Sequence, residues 1–590
     1  MTSKRSPMRL PPIATGLRSA WHSGYDLTDL RQDILAGLTI GTVAVPLSMA
    51  LAIAAGVEPQ HGLYTAIVAG AIIAMTGGSR VNVSGPTAAF VVILFPIVQQ
   101  YGLGGLLIAT MMAGAILILL GLTHMGRLIQ FVPYPVVLGF TAGIAVVIAV
   151  LQVPDFLGLS VGQLSEHFVE NVGHIMAALP TLNPHELSIG VFSLAVMLLW
   201  PRLHLPVPAP LVGLIVGALA AHALELAFGG DTQGPLVETI ASRFSWEAAG
   251  SSGTGIPPIA PTLVAPWQLP SADGQPLTLD FELIRELMGP AIAIAMLGAI
   301  ESLLCSVVSD GLTRTRHDPD AELIGQGLGN LIAPLFAGIT ATAAIARTAT
   351  NIRCGARSPL AAVVHSAVVL LAVIALADLL GKVPMATLAA LLFIVAWNMS
   401  EARHFVHSLR SAPGGDVAIL LICFGLTVLF NMVLAVAVGV GLAAALFIRR
   451  MMQLTQTRQI TDTPQDEALR QTPCEGSDSS AIALYDIDGP LFFGVAEKAL
   501  TSLRLVDDRV RVVILDMSDV PSMDGTAIVA LKSLIDDMRH QHVALVLSGL
   551  PSHLIVKLRR AGIRKRTGEL TWCRNLPRAF AVARRWLADE

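Results

Sequence analysis

Thr76-Gly77-Gly78-Ser79-Arg80-Val81-Asn82-Val83-Ser84-Gly85-Pro86-Thr87 is the stretch on which the fold turns. It is polar and glycine-rich, yet it separates two long apolar runs. Backbone of this kind is tolerated at membrane depth only where protein covers it or where it lines a cavity. Pro86 suits the first turn of a helix, because its missing N–H would have had no partner there. The helix predicted after it, Thr87 to about Gln99, is too short to span a bilayer alone.

A counterpart lies in the second half. Ala337-Gly338-Ile339-Thr340-Ala341-Thr342 precedes another short helical stretch, Ala343 to about Asn351. Paired interruptions at corresponding places in two halves point to an inverted-repeat transporter. Two half-helix N-termini facing each other would present unpaired N–H groups and two positive dipole ends, which is an anion site. The alternative is a pair of re-entrant or kinked helices that only pack.

The composition agrees with a membrane setting. Of 590 residues, 54% are hydrophobic and 14% charged, against roughly 25% charged in soluble domains. The net charge of -4 gives no sign of a nucleic-acid binder. Cys305, Cys354, Cys423, Cys474 and Cys573 form no CxxC pair, so neither a zinc site nor a disulfide framework is indicated. Lys4, Arg5, Arg9 and Arg18 precede a first apolar run that begins only near Ile34, a pattern unlike a signal peptide. Trp21 to Asp33 reads as a short amphipathic helix lying on the membrane.

Fourteen spans are predicted within 34–450, centred near 44, 70, 93, 113, 142, 192, 215, 298, 329, 346, 368, 391, 423 and 440. The segment 165–180 is weaker. With residues 1–33 in the cytoplasm, alternation places Arg127, Arg202, Arg314, Arg316, Arg353, Arg357, Arg403, Arg410, Arg449 and Arg450 on the inside. That excess fits the rule for cytoplasmic loops. Past Arg450 the composition turns polar, and 451–480 reads as a linker. Residues 481–590 read as a cytoplasmic α/β unit. Its predicted strands are Ala481–Ile487, Val510–Leu515 and Val543–Ser548, and its helices Thr526–Met538, Leu554–Ala561 and Pro577–Leu587.

Glu301 sits in the apolar span Ala291–Val308, where a carboxylate is costly and is by default a functional hypothesis. It is the candidate proton carrier, or else the partner of an arginine or a backbone group. Arg347, one turn into the second short helix, would balance Glu301, draw anions inward, or snorkel to the cytoplasmic side. His365 reads as a hydrogen-bonded core residue, and Asn82, Asn351 and Asn398 as caps or bridges at helix ends. There is no Walker A loop, GxSxG elbow or HExxH pair. That argues against an enzyme or an ATP-driven pump and for coupling to an ion gradient or to exchange, with no cofactor and no metal.

These residues resemble the SulP family of anion transporters. The resemblance rests on Leu35-Ala36-Gly37-Leu38-Thr39 through Pro46, on Pro59-Gln60-His61-Gly62-Leu63-Tyr64 with Gly77-Gly78-Ser79-Arg80 and Ser84-Gly85-Pro86-Thr87, and on Ala346-Arg347-Thr348 with Asn351 and Gly355-Ala356. The C-terminal unit resembles a STAS domain, through Val513-Ile514-Leu515-Asp516-Met517-Ser518 and Met523-Asp524-Gly525-Thr526-Ala527. Regulators with this domain carry a phosphorylatable Ser after that Asp; here Gly525 occupies the place and Thr526 follows.

The resemblance implies a 7+7 inverted repeat forming core and gate domains, with a C-terminal α/β STAS domain. It implies a substrate held by Thr87, Ala88 and Ala89 on one side and Ala344, Ile345, Ala346 and Arg347 on the other. Glu301 would couple protons, and the protein would be a homodimer in the inner membrane. Thr76–Arg80, Ser84–Leu94, Leu297–Cys305 and Val395–Glu401 look closest to DauA-type carriers. This implies proton-coupled uptake of C4-dicarboxylates such as succinate, fumarate or aspartate. A sulfate or bicarbonate carrier, an anion channel, and a sensor signalling to a cytoplasmic partner through the STAS domain are the alternatives.

Overall fold

Long runs of Ala, Leu, Val and Ile let the backbone satisfy its own hydrogen bonds as helix, the one solution for an open chain in lipid. The computed structural model describes residues 13–588 except 130–132, 163–164, 166, 204, 206, 229–234, 249–250, 270, 272–276, 278, 431, 455, 460–480 and 492–508. It falls into two units, Met1–Gly441 and Leu442–Glu590.

The labelled helices of the first part are α1 (Thr15–His22), α2 (Leu27–Ala54), α3 (Pro59–Thr76), α4 (Ala88–Leu122), α5 (Tyr134–Leu151), α6 (Pro184–Leu199) and α7 (Ala209–Phe228). They continue as α8 (Phe281–Thr313), α9 (Pro319–Ile332), α10 (Ile345–Arg353), α11 (Leu360–Gly381), α12 (Met385–Met399), α13 (Gly414–Leu429) and α14 (Met432–Leu454). Among the described residues, eight helices are long and apolar enough to cross a membrane. Each predicted span centre lies on a helix, many of them shorter than a bilayer needs. The centres near 93 and 113 share α4, which breaks at Gly102, with φ 68° and ψ -173°. Its first piece, Ala88 to Tyr101, is ~21 Å long at 1.5 Å per residue.

The membrane-surface helix expected over Trp21–Asp33 is not one element. α1 ends at His22, and Asp26 starts α2 by accepting from the Thr28 and Asp29 N–H groups in a capping box. The weak segment near 165–180 contains the helix Phe168–Ala178. Tyr25 donates to the buried Asp33 at 2.7 Å. Burial and the Asp33 carboxylate push the Tyr25 phenol up to about 12, so it stays a donor.

Packing sorts the helices into two groups. α2, α3, α4, α8, α9, α10 and α11 pack mainly on one another, and so do α5, α6, α7, α12 and α13. The first group draws on both halves of the chain, so the halves interlock. One close approach within it joins α4 to α9. A Cβ added to Gly114 would lie 2.7 Å from the Gly327 carbonyl oxygen, and one added to Gly327 would lie 2.6 Å from the Gly114 carbonyl oxygen. Small residues permit such backbone contact in membrane helices.

After the short strands β1 (Ser84–Gly85), β2 (Ser245–Ala248), β3 (Ser251–Thr254) and β4 (Thr342–Ala343) of the first unit, the second unit contains a five-stranded sheet in the order β5 (Gln456–Gln459), β6 (Ile482–Asp488), β7 (Val512–Asp516), β8 (Ala544–Ser548), β9 (Leu570–Cys573). β5 is antiparallel to β6, and the other pairs are parallel. Part of the predicted linker is thus the sheet's edge strand, while 460–480 lie outside the described residues. α15 (Gly525–His540) and α16 (Ser552–Arg560) cover one face, and α17 (Leu576–Ala588) the other.

Gly327→Ala should destabilise the protein by ~1–3 kcal/mol, the usual cost of overpacking, measured as a lower melting temperature in detergent. Gly289→Ala, on α8 with nothing within 4 Å of the added carbon, is the control and should melt at or above the wild type. Equal melting of the two variants would refute the close contact.

Candidate functional site

Both sequence interruptions are buried, and they pair with each other. β1 (Ser84–Gly85) precedes α4, and β4 (Thr342–Ala343) precedes α10. The two run antiparallel, with Ser84 opposite Ala343 and Gly85 opposite Thr342. The Ala344 N–H donates to the Val83 carbonyl at 3.0 Å. The Val83 N–H donates to Thr348 Oγ1 at 3.0 Å, and Asn351 Nδ2 to the Val81 carbonyl at 2.8 Å. α4 and α10 therefore begin side by side.

Neither helix start is closed by a side-chain cap. First-turn N–H groups have no intrahelical acceptor, so both ends keep the partial positive charge of the helix dipole. Thr87, at the cap position of α4, turns its hydroxyl elsewhere and donates to Glu301 Oε2 at 3.0 Å. Glu301 is partly buried on α8. Thr87, Ala88 and Ala89 are buried, Ala344 is partly buried, and Ile345 and Ala346 are exposed.

Arg347 is 3% exposed, so it does not snorkel. Nor does it pair with Glu301. Its Nη2 donates to the Pro86 carbonyl at 2.5 Å, while Nε and Nη1 have no hydrogen-bond partner. The guanidinium lies against Gly85, where an added Cβ would fall 2.7 Å from Nη1. A buried cation with two unbonded donors beside two uncapped helix starts is an electropositive centre built from residues 84–89 and 342–347.

The residue that sequence reading missed is Glu322 on α9. It is 1% exposed and accepts from the Gly78 and Ser79 N–H groups at 2.9 and 3.0 Å. Asn82 Nδ2, Ser302 Oγ and Gln326 Nε2 add donors at 3.1, 2.9 and 3.3 Å. Five neutral donors saturate the carboxylate, which needs no cation. The second interruption is held in a similar way. Asn330 Oδ1 accepts from the Ala341 N–H, and its Nδ2 donates to the Ala341 carbonyl, both at 2.8 Å. Thr342 Oγ1 donates to the Gly298 carbonyl at 3.1 Å.

Two other expectations change. His365 is fully buried in α11, where its ring meets the Ala362 backbone of its own helix but makes no hydrogen bond of good geometry. Asn82 and Asn351 do bridge elements, whereas Asn398 is exposed near the end of α12. Among the described residues, no group of three or more His, Cys, Asp or Glu is placed to hold a metal.

The architecture and the paired interruptions define a multi-pass membrane carrier with an anion-directed centre. The model of the sulfate permease family matches residues 30–423 and that of the STAS domain residues 477–573; the chain belongs to the sulfate permease family. It is an anion transporter rather than an enzyme. It is 39% identical over 550 residues to the Bacillus subtilis protein named "Putative sulfate transporter YvdB", covering 92% of this chain and 96% of that one. It is 28% identical to the bicarbonate transporter BicA of Picosynechococcus, over 91% and 92% of the two chains. The structure of the murine Solute Carrier 26 family member A9 anion transporter in the inward-facing state shares the fold, with a TM-score of 0.81 at 18% identity over 99% and 96%. The transmembrane domain of a cyanobacterial BicA matches with a TM-score of 0.58 at 25% identity, covering 71% of this chain.

Replacing Glu322 with Ala would orphan five donors at ~1–3 kcal/mol each. E322A should give no monodisperse peak on size-exclusion chromatography in detergent, while E322Q, which keeps an acceptor oxygen, should retain part of it. Normal elution and melting of E322A would show that the carboxylate does not hold the interruption.

Proposed function

We propose that the chain is a proton-coupled secondary transporter that binds a small anion at the paired starts of α4 and α10. Thr87, Ala88 and Ala89 form one side of the binding site, and Ala344, Ile345, Ala346 and Arg347 the other. The observation that carries this is the buried Arg347 guanidinium, which keeps two donor nitrogens, Nε and Nη1, unbonded beside two uncapped helix ends. An anion is the partner that chemistry lacks.

Glu301 takes the coupled proton. Its hydrogen bond from Thr87 ties it to the first residue of the binding site. An empty site leaves the carboxylate to draw on Thr87 and the nearby positive charge. An arriving anion competes for that charge and favours the protonated acid, which links the two uptakes in one direction. The anion would cross by alternating access, through motion between the two helix groups. The inner membrane, cytoplasmic N- and C-termini and a homodimer belong to the same reading, with the STAS domain as a cytoplasmic regulatory module.

Sulfate or bicarbonate is the substrate we put first, because the relatives carry those names. A C4-dicarboxylate is the second reading. The alanines at 88, 89, 344 and 346 favour it by leaving room for an anion larger than bicarbonate.

Uptake into proteoliposomes with an imposed inward proton gradient decides between these readings. Labelled sulfate or bicarbonate should accumulate saturably, and a hundredfold excess of succinate should leave that uptake intact. Gradient-driven succinate uptake that sulfate and bicarbonate fail to inhibit would reverse the order. Glu301→Gln should abolish the dependence on the proton gradient while substrate binding stays measurable. Unchanged gradient-driven uptake by that variant would remove Glu301 from the coupling.

A further inference from the structure

A second feature of the first unit lies away from the anion site. A cavity of about 950 Å³ opens between α7 on one side and α2 and α11 on the other, on the seam between the two helix groups. One wall runs along α7 from Leu211 to Glu225, and the other from Val368 along α11 to Lys382, the residue that ends it. Fourteen residues of rise on each wall make a slot ~21 Å long. That exceeds the ~15 Å of hydrocarbon in one leaflet, half of a ~30 Å core.

The slot is graded. Its walls are aliphatic for most of their length, and Leu219 and Leu371 are 63% and 66% exposed. Apart from Thr42 near Val368, whose hydroxyl donates to the Thr39 carbonyl, the polar lining gathers at the other end, as His222, Glu225, Thr239 and Lys382. The segment 235–240 borders that end and touches both walls. The Leu236 N–H donates to Glu225 Oε2 at 3.0 Å, and the Ile240 N–H to the Val383 carbonyl at 3.1 Å. Glu225 is thereby engaged. Lys382 is exposed, and its ammonium makes no hydrogen bond or ion pair among the described residues. An apolar channel with a cation at its mouth matches an acyl chain with an anionic head, and in a bilayer phospholipid supplies that chemistry.

We propose that this slot is a phospholipid site, with one acyl chain lying between α7 and α11 against Val45 and Pro46 of α2 and the phosphate at Lys382. The molecule held there touches both helix groups at once and is distinct from the lipid that wets the outer helix faces.

Photo-crosslinking tests this. The full chain would be reconstituted into phosphatidylglycerol vesicles containing a small fraction of phosphatidylglycerol with a diazirine near the acyl terminus. Adducts would be mapped by mass spectrometry. Labelling of Leu211–Leu219 and Val368–Leu376 should exceed that of Leu198 and Leu199, exposed on α6, by about tenfold, the ratio that 1.4 kcal/mol of preference gives. Ala218→Trp, which fills the slot, should erase the excess and leave α6 labelling unchanged. Lys382→Glu, at an exposed position, should reduce it severalfold. Equal labelling of the slot and α6, an excess that survives Lys382→Glu, or an equal excess from a diazirine fatty acid lacking the phosphate would each overturn the proposal.

Discussion

Non-helical backbone inside a bilayer must find its hydrogen bonds within the protein, and the rest of this structure is arranged around meeting that demand twice. Residues 77–87 and 337–344 interrupt the helices and are largely buried in protein. Their polar groups are answered by buried side chains and by each other, through the short β1–β4 pair. A buried carboxylate is ordinarily a liability. Here Glu322 is the reason a glycine-rich strand can exist at that depth, and α8 and α9 carry hydroxyls and amides because they must supply the remaining partners.

Meeting the demand so completely leaves the helix starts conspicuous. Thr87 would be a natural cap, but its hydroxyl is committed to Glu301. The two helix ends therefore keep their field. Arg347 adds a full charge next to it, held against Gly85 and Pro86 rather than against an acid. Dipole terms of about 0.3–2 kcal/mol explain a preference for anions over other solutes, and they are too small to select one anion among several. Selection has to come from the shape and hydrogen bonding of the alanine-lined space.

The sequence made the apolar spans, both interruptions and the sheet of the second unit legible, because hydropathy and period report directly on burial. Glu301 stood out as a lone acid in an apolar run. Glu322 did not. With Asp320 it reads as acid in the first turn of α9, the ordinary complement to a helix dipole, and nothing local says that it reaches Gly78. Arg347 was legible as a residue of interest but not in its direction, since helical spacing does not tell whether a long side chain turns inward. Gln456–Gln459 read as linker because an edge strand needs only one covered face, so its composition looks like loop. His365 stood out as a buried histidine, but periodicity carries no information on whether its ring finds a partner.

Glu322 and Asn330 lie on the same helix, eight residues and ~12 Å apart. One grips the first interruption and the other the second. The separation of the two interruptions, and so of the two sides of the proposed site, is thus a property of α9's own pitch, not of the loops that form them. If α9 shifts, both halves travel with it and keep their mutual distance. A pair of segments so held can move as one body without being reshaped.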